Sequence, residues 1–314
     1  MLRWLFRTIS TLLIAAVLLF AGVGIYIGNT AYEQFRGASW DKVLGIENHS
    51  RSVNGIRRAE QRYDWDAVHV TAADGTDLRG TYIEDANDSR KTVILLHGLY
   101  QNRTMCLPYI GMYRNRGYNV LLVDLRGHGE SGGEHTDWGL SEMSDLDAWV
   151  QWLKKKNPSG TIGMHGVSLG AAMALLYSGT DQGRELSFYV ADSSYGNLTQ
   201  LGREKVFEWA QDKRAIWGFN VLNPFFQASM YYHTRKTLND IEPMKAVRRT
   251  AAPVLFLHGD ADELIPVETV HRLYDQCRSP HKQIHIFSGS AHAVGISTDR
   301  EEYVQTVASF LAKR

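Results

Sequence analysis

The chain of 314 residues reads as an α/β protein with a mostly parallel sheet and helices on both faces. Three observations predict this. From Asp66 onward, short runs of continuous apolar residues alternate with longer stretches of helical character, the pattern of strands buried on both faces. The stretch Thr161–Ala172 runs from apolar strand through a tight turn into a helix of small residues, with Gly166-Val167-Ser168-Leu169-Gly170 at its centre. Polar residues able to do chemistry follow the strand ends directly, where open parallel sheets bind ligands.

Composition narrows the function. Lys+Arg and Asp+Glu are equal at 34 each, and no long basic or acidic run occurs, so nucleic acid is not an expected partner. The two cysteines, Cys106 and Cys277, form no metal-ligand spacing and no disulfide framework. One bridge between them and two separate buried thiols are both open, the second being the simpler reading.

Taken in order, the chain begins with a segment unlike the rest. Leu12 to Ile27 is almost wholly apolar, and no charge occurs from Thr8 to Asn29. That length suffices for a helix to cross a bilayer, which takes about 20 residues. Arg3 and Arg7 precede the run and Glu33 is the first charge after it, which orients the N-terminus to the cytoplasm and the remainder outside. A cleaved signal peptide is the rival. No good A-x-A site follows Phe20, so residues 1–30 are expected as an uncleaved, single-pass membrane anchor. The mixed, charged segment 31–65 is expected as a linker or stalk.

The domain proper is expected over 66–314. Ala67–Thr71 and Leu78–Ile83 alternate around Asp74-Gly75, a hairpin signal. Further strands are expected at Thr92–Leu96, Val120–Asp124, Thr161–His165, Phe188–Asp192, Val254–His258 and Gln283–Phe287. Helices are expected near Leu107–Arg116, Ser141–Lys156, Leu169–Ser178, Val267–Cys277 and Arg300–Ala312. The alternation stops at about 197–250, a segment rich in Trp, Phe and Tyr. It is expected as a helical cap insertion over the strand ends. Its aromatics are either ordinary core or, as with Trp217 and Phe226, part of a substrate pocket that Tyr100 could join.

G-x-S-x-G between strand and helix is the pattern of a serine nucleophile held on a strained turn, with the helix N-terminus facing the site where an oxyanion would form. Acyl transfer then needs two N–H donors for that oxygen. One is expected from Leu169, which follows Ser168. The other is expected from the loop after His97-Gly98, with Leu99 the first choice and Tyr100 the second. A base is needed as well, and a carboxylate to orient it. His292, after the last strand in Gly289-Ser290-Ala291-His292, stands out among the twelve histidines because the order serine, acid, histidine matches a known order of such groups. Asp260, Asp262 and Glu263 in the loop after Val254–His258 all compete for the acid. His281 and His285 have i,i+4 spacing but lie in an alternating segment, and no H-E-x-x-H occurs, so no metal site is expected.

With these pieces together, the chain resembles the α/β-hydrolase superfamily. The resemblance rests on His97-Gly98, on Asp124-Leu125-Arg126-Gly127-His128-Gly129-Glu130-Ser131-Gly132, on Gly166–Gly170, on His258-Gly259-Asp260-Ala261-Asp262 with Ile265-Pro266, and on His292. It is closest to the branch shared by prolyl-oligopeptidase-like and lysophospholipase-like hydrolases, including membrane-anchored bacterial members. The resemblance implies Asp262 as the acid and structural roles for Arg126 and His128. It also implies a serine hydrolase of carboxylic esters that needs no cofactor, acting on a small-molecule or lipid-like ester. The alternatives are a peptidase or amidase with the same residues and, in a different class, a non-catalytic interaction protein on the same fold.

Overall fold

In a computed structural model, which describes residues 2–38, 40–87 and 89–313, eight strands form one sheet in the order β1-β2-β4-β3-β5-β6-β7-β8. They are β1 (Asp66–Thr71), β2 (Asp77–Ile83), β3 (Lys91–Leu96), β4 (Asn119–Val123), β5 (Thr161–Val167), β6 (Phe188–Asp192), β7 (Val254–Gly259) and β8 (Lys282–Phe287). The hairpin β1–β2 is antiparallel and β2 pairs antiparallel with β4, while every later pairing is parallel. The apolar runs follow from this order. The central strands β4, β6 and β7 are buried along their whole length, whereas the edge strand β1 alternates between exposed and half-buried positions. Successive side chains point to opposite faces. Val93, Leu95, Val120 and Leu122 accordingly join one core cluster with Ile56, Tyr113 and Phe310, and the alternate residues Ile94, Leu121 and Met164 are also fully buried.

The principal helices are α1 (Leu2–Gly37), α2 (Asn54–Tyr63), α3 (Glu142–Lys156), α4 (Leu169–Ser178), α5 (Leu198–Ala210), α6 (Lys213–Thr234), α7 (Glu268–Gln276) and α8 (Arg300–Leu311). The expected helix near Leu107–Arg116 is instead a 3-10 helix over Arg103–Tyr109 followed by one α-turn region at Ile110–Arg114. Pro108 lies inside that segment and has no N–H to donate, which breaks a continuous α-helix.

The chain divides into two compact units. One holds the sheet, and the other joins residues up to Ala38 with Thr199–Asp240. The boundaries differ from those expected. Residues 40–65, read as linker or stalk, belong to the sheet unit. The reason is burial and charge: α2 buries Ile56 and Ala59, and its Glu60 meets Arg103 and accepts from the Thr81 hydroxyl. Residues 241–250 also return to the sheet unit, with Ile241, Val247 and Thr250 buried. Met1 of the anchor segment and Ser39 of the linker lie outside the described residues.

The helical unit contains α1, most of α5, and α6. α6 packs on the C-terminal half of α1. Phe225 meets Phe20 edge-to-face at 5.5 Å between ring centroids, and a Cβ at Gly24 or Gly28 would overlap Phe225. Asn29 Oδ1 lies 3.1 Å from Ser229 Oγ and 2.8 Å from His233 Nε2, and Tyr32 stacks on His233.

Candidate active site

β5 ends in a tight turn at Ser168. Ser168 has φ 53° and ψ −114°, a strained conformation for a residue with a Cβ, and it directly precedes α4. The flanking glycines permit the turn. A Cβ at Gly166 would collide with the Gly170 carbonyl, and one at Gly170 with the carbonyls of Leu96 and His97. The turn is held from the sheet, because the Ser168 N–H donates to the Asp192 carbonyl at 2.8 Å.

Three side chains from three loops converge there. Ser168 Oγ lies 2.8 Å from His292 Nε2, and His292 Nδ1 lies 2.7 Å from Asp262 Oδ2. Asp262 is wholly buried and accepts two backbone N–H bonds through Oδ1, from Leu264 at 2.9 Å and Ile265 at 2.8 Å. His258 Nε2 lies 3.2 Å from Asp262 Oδ2 and 2.9 Å from the Ile265 carbonyl. Burial works to raise the Asp262 carboxyl. The hydrogen bonds from His258 and His292 outweigh it and hold the group well below the usual carboxylate range. Asp262 is therefore an anion that fixes His292 with Nδ1–H toward it and leaves Nε2 as an acceptor facing Ser168. The two competing acids lie elsewhere in their loop. Asp260 is exposed and accepts the Gly289 N–H at 2.6 Å, and Glu263 is exposed.

The loop after β3 approaches the serine. A Cβ on Gly98 would lie 3.4 Å from Ser168 Cβ. Among the described residues, neither the Leu99 N–H nor the Leu169 N–H has a hydrogen-bond acceptor within the protein. The Tyr100 N–H, the second choice for the oxyanion donor, is already committed: it donates to His128 Nε2 at 3.0 Å. His128 can accept there because its Nδ1–H donates to the Arg126 carbonyl at 2.9 Å, and burial pushes its pKa down to about 3, so it is neutral. His97 works in the same way. Its Nδ1 bonds the Gly98 carbonyl, its Nε2 accepts the Leu125 N–H, and burial holds its pKa down to about 4. Arg126 forms two buried bonds to Asp145 and reaches Asp74, so it braces its loop.

Some supporting residues escaped sequence reasoning. Gln101 Oε1 accepts the Gly98 N–H at 3.1 Å. Ser193, with φ 59°, bonds Asp192 and accepts the Ala293 N–H at 3.1 Å, steadying the backbone next to His292. The backbone N–H of Trp40 donates to the Tyr100 hydroxyl and that of His49 to the Tyr100 carbonyl, so residues 40–65 brace the loop after β3. No local pattern marks these, because each partner is far away in the chain. The remaining pocket candidates lie in the helical unit. Trp217 is 70% exposed, and Phe226 packs edge-to-face on Phe35 at 5.5 Å. Cys106 and Cys277 are both free and buried. Among the described residues no cluster of His, Cys, Asp and Glu could hold a metal ion.

A sheet of this order, with a serine on the strained turn after β5 and a histidine brought to it from beyond the last strand, defines an α/β-hydrolase. Known proteins agree and narrow the assignment. The chain belongs to the prolyl oligopeptidase family, whose sequence pattern matches residues 109–314. It is 31% identical over 268 residues to YqkD of Bacillus subtilis, spanning 85% of each chain. It is 25% identical over 198 residues to the lysophosphatidylserine lipase ABHD12 of Danio rerio, covering 62% of this chain and 49% of that lipase. The esterase Pf2001 of Pyrococcus furiosus has a similar structure, with TM-score 0.65 and 29% identity, over 81% of this chain and 95% of that one.

Proposed function

We propose that this protein is a membrane-anchored serine hydrolase that cleaves carboxylic esters through an acyl-enzyme. The hydrogen-bonded line Ser168–His292–Asp262 carries the reading. Ser168 Oγ attacks the ester carbonyl carbon while His292 Nε2 takes its proton. The tetrahedral oxyanion is received by the Leu169 N–H at the head of α4 and the Leu99 N–H of the loop after β3. His292 then gives the proton to the departing alcohol, and the acyl group stays on Ser168. Water, deprotonated by His292, attacks the acyl-serine. Collapse releases the acid and returns the proton to Ser168. Asp262 keeps its charge throughout and stabilises the imidazolium. No cofactor takes part in these steps. Esters rather than amides are favoured by the esterase and lipase relatives.

The long apolar helix α1 supports anchoring, with Arg3 and Arg7 on the cytoplasmic side and the sheet unit outside. The test of the activity is a pair of p-nitrophenyl ester and p-nitroanilide substrates sharing one acyl group. The ester is expected to turn over and the anilide to react far more slowly. Faster anilide cleavage would make the protein an amidase. Ser168→Ala should lower ester turnover by about 10⁶ and abolish labelling by a fluorophosphonate probe. Labelling that persisted in the variant would remove Ser168 from the mechanism.

A further inference from the structure

We propose that α6 is itself seated in the membrane, lying against α1 in the outer leaflet with one face turned to lipid. The proposal rests on the anchor reading of α1.

The sequence of α6 is the first observation. From Ala215 to Thr234 it carries no Asp, Glu, Lys or Arg, and this stretch is bordered by Lys213-Arg214 on one side and Arg235-Lys236 on the other. Apolar stretches closed by cations, with Trp and Tyr near their ends, suit the boundary between headgroups and hydrocarbon. Trp217 stands near one end, Tyr231 and Tyr232 near the other.

The second observation is where α6 packs. Its inner face is Phe225, Ser229 and His233, at i, i+4 and i+8. Phe225 covers Gly24 and Gly28 and meets Phe20, and all three belong to the uncharged run Thr8–Asn29 of α1. If that run occupies the hydrocarbon, its contacts fix the depth of α6. Phe20 lies nine residues inside Asn29, which is about 14 Å along a helix. Phe225 therefore sits within the outer half of a core about 30 Å thick. The spacing Gly24-x-x-x-Gly28 allows the close approach that helices use in lipid.

The third observation is how polar and apolar groups divide. Four polar side chains of α6 are answered inside the unit: Ser229 and His233 by Asn29, and Gln227 by Thr199, Asn223 and the Leu238 N–H. The outer face, at spacings of three and four, is Trp217, Asn220, Pro224, Ala228 and Tyr231, and all of these are exposed. Its four uncharged apolar or aromatic members outweigh one amide. Asn220, Asn223, Pro224 and Gln227 make α6 a poor second span, so the geometry points to a helix that enters the outer leaflet beside α1 without crossing the bilayer.

The test uses the full chain in vesicles of phosphatidylcholine and phosphatidylglycerol. A polarity-sensitive fluorophore is placed by Ala228→Cys or Tyr231→Cys on α6, by Leu13→Cys on α1, and by Asp275→Cys on the sheet unit. The native chain, with both cysteines buried, is the blank. Labels at 228 and 231 should be quenched by brominated phosphatidylcholine at least twofold more than the label at 275, and by iodide at least threefold less. A lipid-quenched label at 13 beside iodide-accessible labels at 228 and 231 would overturn the seat of α6 and leave the anchor standing. A label at 13 that lipid does not quench would overturn both. Labels at 228 and 231 shielded from both quenchers would mean a protein covers this face, which also overturns the proposal. Gly28→Leu, which drives a side chain into Phe225, should raise iodide quenching at 228. Unchanged quenching at 228 in that variant would show that packing on α1 does not set the depth of α6.

Discussion

Asp262 receives four groups, and this separates it from its neighbours in the same loop. His292, His258, Leu264 and Ile265 all direct N–H groups at its two oxygens, whereas Asp260 holds one backbone N–H from an exposed position. Asp262→Asn would present an amide to His292 Nδ1 and favour the wrong tautomer. We predict a fall in ester turnover on the order of 10⁴, with Asp260→Asn within about tenfold of the parent. Steady-state rates on one p-nitrophenyl ester decide the matter, and the reverse ranking would reassign the acid. The other side of Ser168 follows similar logic. With the Tyr100 N–H held by His128, we assign the oxyanion donor of that loop to Leu99.

At the scale of elements, the loops around Ser168 are braced through Arg103. This side chain is buried in the 3-10 helix that follows the loop after β3, where it pairs with Asp124 just after β4, with Glu130 at 2.5 Å and with Glu60 of α2 at 3.3 Å. The Asp124 side chain is fully buried, so removing its counter-charge strands a carboxylate away from water. Arg103→Leu should therefore destabilise the protein by about 3–5 kcal/mol. Glu130→Gln, at the more exposed end of the same cluster, should cost about 1 kcal/mol or less. Urea midpoints for the two variants measure the difference, and equal midpoints would deny that the buried end dominates.

Over the whole molecule, three buried histidines set an acid limit. Burial holds the pKa of His97 at about 4 and those of His128 and His165 at about 3, against an ordinary 6.5. Below pH 6.5 the unfolded chain takes up protons that the folded chain refuses. Their contribution is thus complete above pH 6.5 and is lost progressively as pH falls toward the folded values. The loss is roughly 2 kcal/mol per histidine by about pH 5. Asp262 adds to this only lower, since its depressed carboxyl contributes above the ordinary carboxylate range and loses that contribution below it. Melting temperature should fall steadily from pH 7 to pH 5, and a flat profile would mean these histidines are charged in the fold. The anchor has its own test at this scale. Intact mass of protein extracted from membranes should retain Arg3 and Arg7, and a mature chain starting near Tyr32 would show a cleaved signal instead.

The eight strands, their mostly parallel pairing, and the candidates Ser168 and His292 are legible in the sequence alone. Apolar runs, glycines at a strained turn and small-residue helices act over a few neighbours, so their signal is local and legible. Asp262 was one of three equal acids on local grounds, and only resemblance to a family singled it out. Tertiary structure decided the rest. It committed the Tyr100 N–H to His128, turned residues 40–65 from a stalk into a brace for the loop after β3, and set α6 on the glycines of α1. Each of these depends on which buried polar group or close-packed surface finds its partner across tens or hundreds of residues. Such partners are chosen by the closure of the whole fold, because a buried donor, charge or void must be satisfied wherever the chain brings a match.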